Sequence, residues 1–162
     1  QLANTLHKDY IHESNLQATV SPIAEACAAI VHSNMAETRR ILDTLTTGYP
    51  LVLVSNFYGN IHAVLQSYGI DGYFKDVIES AVVGIRKPDP QIFALGIEAL
   101  ALSPDEVLVV GDSYSKDVIP ARSLGCHTIW LKGKGWNTSD ESIDTPCADR
   151  VIKHLAEVLE SV

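Results

Sequence analysis

Glu106-Val-Leu-Val-Val-Gly-Asp-Ser-Tyr-Ser-Lys-Asp117 is the stretch on which the fold turns. Its apolar run, Val107 to Val110, suits a strand buried on both faces, as in a parallel sheet, and its tail suits a turn into a helix over Ser115 to Leu124 stopped by Gly125. Downstream, His127 to Leu131 reads as a strand. Lys132 to Cys147 reads as a long loop rich in Gly, Ser, Asp and Thr, a length that is functional or mobile in most folds. Arg150 to Ile152 then suits an edge strand before a terminal helix with Leu155, Val158, Leu159 and Val162 on one face. Upstream, Asp89-Pro90 offers an N-cap and a first-turn proline for a helix reaching Ala101. Before it come a short strand at Asp76 to Glu79, a helix at Asn60 to Tyr68 with Gly69 beyond its end, and an apolar strand at Leu51 to Val54. Asn34-x-x-Glu37 resembles a capping box that opens a helix through Leu42 and Leu45. Residues 1 to about 32 carry helical spacing, broken in two at Ser21-Pro22. Strands alternating with helices predict a doubly wound α/β core with a parallel sheet.

The bulk properties narrow the function. At 162 residues the chain has length for one core and a small appendage. Its net charge of −8, from 20 acids against 12 Lys and Arg, argues against general affinity for nucleic acid or anionic membrane. No apolar stretch approaches the roughly 18 to 20 residues needed to cross a bilayer. Cys27, Cys126 and Cys147 are odd in number and lack C-x-x-C spacing, so neither a disulfide framework nor a zinc site is expected, and a reducing cytoplasm is the default. The start, Gln-Leu-Ala-Asn-Thr-Leu-His, has no basic stretch with an apolar core behind it and no initiator Met, which fits a start inside a longer gene product.

Three segments carry chemistry. Leu51-Val-Leu-Val-Ser-Asn56 ends in a hydroxyl and an amide, and Gly59-Asn60 then opens a helix; Ser55 with free backbone N–H groups at a helix start makes a phosphate cradle. Ordinary capping is the plain alternative for Ser55 and Asn56. In Gly84-Ile-Arg-Lys-Pro-Asp-Pro90, Lys87 precedes proline and is held extended, able to reach a phosphate or carboxylate as a point charge, or else to sit solvated on the surface. In Gly111-Asp-x-x-x-x-Asp117, two carboxylates lie at the carboxyl end of a strand, where open α/β sheets bind their ligands. Hard oxygens of this kind hold Mg²⁺ together with waters and substrate phosphate. Helix capping and dipole complementarity by Asp112 and Asp117 are the alternative.

In this order the three segments resemble motifs II, III and IV of the haloacid dehalogenase-like hydrolase superfamily, and the flanking text, Gly-Ile-Asp-Gly-Tyr-Phe-Lys-Asp-Val-Ile-Glu-Ser and Ala121-Arg-Ser-Leu-Gly125, agrees. The resemblance spans Met35 to Leu131 and more loosely the remainder. It implies that Ser55, helped by the Asn56 backbone N–H, binds phosphoryl oxygens, that Lys87 neutralises phosphate and nucleophile, that Asp112 ligates Mg²⁺ and that Asp117 is a second acidic contact. It further implies a phosphomonoester hydrolase acting on a small phosphorylated metabolite, with residues 1–32 a remnant of a helical cap and 33–162 the α/β core.

One part of that pattern is missing. The superfamily's first motif, an Asp-x-Asp supplying nucleophile and general acid, has no counterpart in the 162 residues; Asp43-Thr-Leu-Thr-Thr47 lies in a helix and follows no strand. A truncated polypeptide and a catalytically inactive phosphate-ligand or partner-binding module both fit. The resemblance puts the absent strand at the sheet's centre, between the strands ending at Ser55 and Val110. That slot is then expected to be filled by an N-terminal fragment, by a strand from a second copy, or by direct pairing of its walls. A receiver-domain reading fits poorly, and dehalogenation suits the lysine, serine and aspartate set less well than phosphate with metal. Tyr58, Asn60, Trp130 and Trp136 could line a pocket, with packing the plainer role for the tryptophans.

Overall fold

The computed structural model describes residues 13–133, 143 and 146–162. Two compact units divide the chain, Gln1–Glu37 and Thr38–Val162. The first helix, α1 (Glu13–Leu45), has residues in both and continues through Pro22, where a break was expected. A proline removes one ladder bond but keeps a helical φ, so a long helix can absorb it. Asn34, expected to open a new helix, lies inside α1 for the same reason: continuity of the ladder outweighs a local cap.

The second unit alternates as the sequence predicts. Strand β1 (Leu51–Ser55) is followed by α2 (Ile61–Ser67), β2 (Phe74–Glu79), the single turn α3 (Ser80–Val83) and α4 (Gln91–Leu100). Then come β3 (Leu108–Gly111), α5 (Ile119–Ser123), β4 (His127–Leu131) and β5 (Arg150–Ile152). The helix expected over Ser115 to Leu124 is in fact two pieces. Its first turn, Tyr114–Val118, is widened to π geometry, with the Val118 N–H reaching the Ser113 carbonyl at 3.4 Å. The C-terminal segment Leu155–Glu160 is a 3₁₀ helix, where an α-helix was expected. Only Val158 of its expected apolar face is buried, and Val162 is exposed. Most of the Lys132 to Cys147 loop, including Trp136, lies outside the described residues.

Every strand pairing is parallel. Among the described residues the strands form two sheets, β1–β2 and β3–β4–β5, and β1 is not hydrogen-bonded to β3. Direct pairing of those two strands, one of the three expected fillings, is therefore not what this chain adopts. Helix α4 holds the two sheets in one core. Its Ile92 and Phe93 are buried with Ile78, and Val52 and Val54 of β1 and Val109 of β3 pack against this cluster. Gly96 allows the close approach, because a Cβ there would stand 3.0 Å from Val54 Cγ2. A second cluster, Ile129, Ile152 and Val158, closes the far side of the larger sheet. Trp130, 2% exposed, belongs to the core, which was the plainer expectation. Among the described residues no helix is long and apolar enough to cross a membrane.

Candidate active site

The carboxyl ends of β1 and β3 converge on Lys87. From β1, the Asn56 side chain clasps the lysine's backbone twice: Oδ1 accepts the Lys87 N–H at 2.9 Å, and Nδ2 donates to the Lys87 carbonyl at 3.1 Å. From the β3 side, Asp117 Oδ1 accepts from Lys87 Nζ at 2.6 Å, with side-chain exposures of 4% and 16%. The other oxygen of Asp117 accepts the Ser113 N–H at 3.0 Å. The ammonium is thus fixed in position, and it also stands 5.9 Å from the Phe93 ring centroid. Sequence reading expected only a backbone N–H from Asn56. Its amide side chain, which links β1 to the lysine segment across 31 residues of sequence, leaves no local signal.

Gly111 makes the Asp117 position possible. A Cβ on Gly111 would lie 2.3 Å from Asp117 Cβ and 2.7 Å from its Oδ2, so only glycine fits. The π turn that follows, capped by the Ser113 hydroxyl on the Lys116 N–H, rotates Asp117 inward, where it is 3% exposed, and leaves Asp112 outside. Such widened turns recur at functional sites. The Asp112 backbone is fixed by Trp130, whose Nε1 donates to its carbonyl at 3.1 Å. Its carboxylate is exposed and has no partner among the described residues.

Ser55 ends β1 half-buried, and its hydroxyl is likewise without a partner among the described residues. The helix start beyond it differs from the expected cradle. The buried Glu79 carboxylate, 2% exposed, already accepts the Gly59 N–H at 2.5 Å and the Ile61 N–H at 3.4 Å. The Ser80 hydroxyl bonds both the N–H (3.1 Å) and the carbonyl (3.2 Å) of Phe57. The Gly59 and Ile61 amides at the α2 start are therefore taken by the protein's own carboxylate and are not available to an anion beside Ser55. In the sequence Glu79 and Ser80 stand out only as part of the flanking match, and their one local signal is a charged residue closing an otherwise half-apolar strand. Tyr58, beside them, is 84% exposed.

As a cation site the cluster is half built. Among the described residues no three carboxylate, imidazole or thiolate groups gather. Asp112 offers a free hard-oxygen ligand, whereas both oxygens of Asp117 are engaged. Mg²⁺ is served by one or two protein carboxylates, with waters and phosphate completing its shell, so the donor set fits in kind.

The family model for haloacid dehalogenase-like hydrolases matches residues 5–125. The chain belongs to the haloacid dehalogenase-like hydrolases. Within that family it is 33% identical over 127 residues to the phosphoserine phosphatase of Thermus thermophilus, covering 77% of this chain and 49% of that protein. It is 33% identical over 91 residues to the glyceraldehyde 3-phosphate phosphatase of Pyrococcus furiosus, covering 56% and 38%. The crystal structure of a HAD phosphatase from Thermococcus onnurineus superimposes with a TM-score of 0.64 at 33% identity, covering 75% of this chain and 54% of that one. The chain spans about half the length, or less, of the curated relatives it matches.

Proposed function

We propose that this haloacid dehalogenase-like chain is the core of a Mg²⁺-dependent phosphomonoester hydrolase acting on a small phosphorylated metabolite. The observation that carries it is the fixing of the Lys87 ammonium between Asn56, next to Ser55 at the end of β1, and Asp117, in the turn that also presents Asp112 at the end of β3. In this reading the Ser55 hydroxyl and the Asn56 N–H donate to phosphoryl oxygens. Lys87, aimed by Asn56 and Asp117, adds a compact positive charge beside them. Asp112 is the direct ligand of the cation, and Asp117 contacts it through water, since each of its oxygens already accepts a hydrogen bond. The cation, when bound, supplies charge neutralisation on the phosphoryl oxygens. A small substrate suits the net charge of −8, which offers no general field for polyanions. The phosphatases among its relatives, named for phosphoserine and glyceraldehyde 3-phosphate, support the substrate class. Residues 1–32 are read as the remnant of a helical cap, and a reducing cytoplasm as the place of action.

The attacking carboxylate is not among these residues. With no Asp-x-Asp in the 162 residues, the chain by itself binds phosphate and does not turn it over. The same absence favours one second reading, a phosphate-binding module without activity. An aryl phosphate assay on the protein in its full encoded length separates the two. Hydrolysis that needs Mg²⁺ and falls about a thousandfold in Asp112→Ala is the expected result. Hydrolysis unaffected by chelation, or none at all, would overturn the enzyme reading.

A further inference from the structure

The turn between β1 and α2 is tied down by a carboxylate to which the proposed chemistry gives no part. In the parallel ladder Glu79, the last residue of β2, stands opposite Ser55, the last of β1. It is 2% exposed, and its Oε1 accepts the Gly59 and Ile61 N–H groups at 2.5 and 3.4 Å. Among the described residues it has no ion-pair partner. A buried carboxylate without a cation is costly and persists where other donors satisfy it, so packing alone does not account for an acid at this position. Ser80, also buried, bonds both the N–H and the carbonyl of Phe57. Asn56 is held in turn by the Lys87 backbone. The turn is thus fastened at Asn56, Phe57, Gly59 and Ile61, and each of these ties runs to the segment from Glu79 to Lys87. Gly59 stands among them at φ 94°, in the left-handed region where glycine moves most freely. A backbone that is easily displaced is held there by a charge-assisted bond.

We propose that Glu79 and Ser80 are positioning residues for phosphate: by fixing the turn after β1 they set where the Ser55 hydroxyl and the Asn56 N–H meet a phosphoryl oxygen. The inference rests on the phosphate reading of Ser55, Asn56 and Lys87 given above. Those groups bracket the fastened turn, since Ser55 and Asn56 lead into it and Lys87 ends the segment that holds it. Donors held in place before the anion arrives bind it more tightly than donors that must be ordered on binding. The charge of Glu79 works in the opposite direction, because a carboxylate near a phosphate site repels the anion. Its contribution to binding therefore comes through the backbone it holds and not through its field. This difference in sign separates the two effects: a neutral residue at position 79 strengthens phosphate binding if charge dominates and weakens it if positioning dominates.

Titration of inorganic phosphate into the 162-residue chain and into Glu79→Gln and Ser80→Ala, followed by ³¹P NMR on the folded proteins, tests it. Glu79→Gln, which keeps an acceptor of the same reach without the charge, is expected to weaken phosphate binding about fivefold. Its Gly59 amide is expected to exchange at least about tenfold faster than in the parent. Ser80→Ala is expected to weaken binding in the same direction, and it decides the matter if Glu79→Gln does not fold. In a Ser55→Ala background the effect of either change is expected to shrink below about twofold, because the positioned hydroxyl is gone. A merely structural role would lower the urea midpoint and leave the affinity of the folded protein unchanged. Unchanged or stronger phosphate binding in the folded variants would overturn the proposal, as would an equal loss in the Ser55→Ala background, and either result leaves the phosphate reading intact. No phosphate binding to the parent chain would overturn both.

Discussion

At the scale of residues, the site depends on one buried ion pair. Lys87 and Asp117 are each more than four-fifths removed from solvent and meet at 2.6 Å. Removing one partner of such a pair leaves the other charge buried and uncompensated, at a cost of about 3 to 5 kcal/mol. Lys87→Met is therefore expected to destabilise the chain by about 3 kcal/mol in urea denaturation, near the lower end of that range because the lysine keeps some solvent contact. Loss of less than about 1 kcal/mol would show that the pair is effectively solvated. Lys87 and Asp117 could be named from sequence because each sits in a recognisable local pattern, lysine before proline and acid after a glycine turn. Their mutual contact could not, since nothing in either segment encodes a partner 30 residues away. The same holds for Asn56, whose residue type predicts a turn and whose side chain instead fixes the lysine.

At the scale of elements, strands and helices were legible where apolar period and punctuation agree. His127 to Leu131 and Arg150 to Ile152 have the expected bounds. Legibility failed where long-range packing sets the backbone. The π turn at Tyr114–Val118 accompanies the close packing of Asp117 on Gly111, and no period signals it. The continuity of α1 through Pro22 is likewise a balance of many ladder bonds against one. One element contact carries a pH dependence. Asp149, just before β5, accepts from Arg122 of α5 at 2.6 Å and from the Thr128 N–H of β4 at 2.7 Å. The Arg122 guanidinium first, and the Thr128 amide second, hold its carboxyl below the ordinary carboxylate value. A carboxyl lowered on folding contributes stability that is present above its unfolded value, near pH 4, and lost as pH falls through its folded value. Acid unfolding of Asp149→Asn is thus expected to be flatter below about pH 4 than that of the parent, with the difference between the two greatest at neutral pH. Equal stability loss at pH 2 and pH 7 would remove Asp149 from this role. Its side chain is 41% exposed, so solvent screening makes the effect small.

At the scale of the whole molecule, the described strands form two parallel sheets, and the candidate site lies where the carboxyl ends of β1 and β3 meet Lys87. The apolar cleft between β1 and β3 opens at Lys87 and Asp112. Sequence reading expected a gap between the strands ending at Ser55 and Val110, and among the described residues those strands lie in two separate sheets. In the proposed reading the chain carries a phosphate seat with Asp112 as a metal ligand, and that is the part to measure first. Inorganic phosphate titrated into the 162-residue chain, followed by ³¹P NMR with and without Mg²⁺, addresses it directly. The expected result is binding that Mg²⁺ strengthens about tenfold, a gain of about 1.4 kcal/mol that disappears in Asp112→Asn, with Ser55→Ala weakening binding in both conditions. Phosphate binding indifferent to Mg²⁺, or a Mg²⁺ effect that survives Asp112→Asn, would contradict the account.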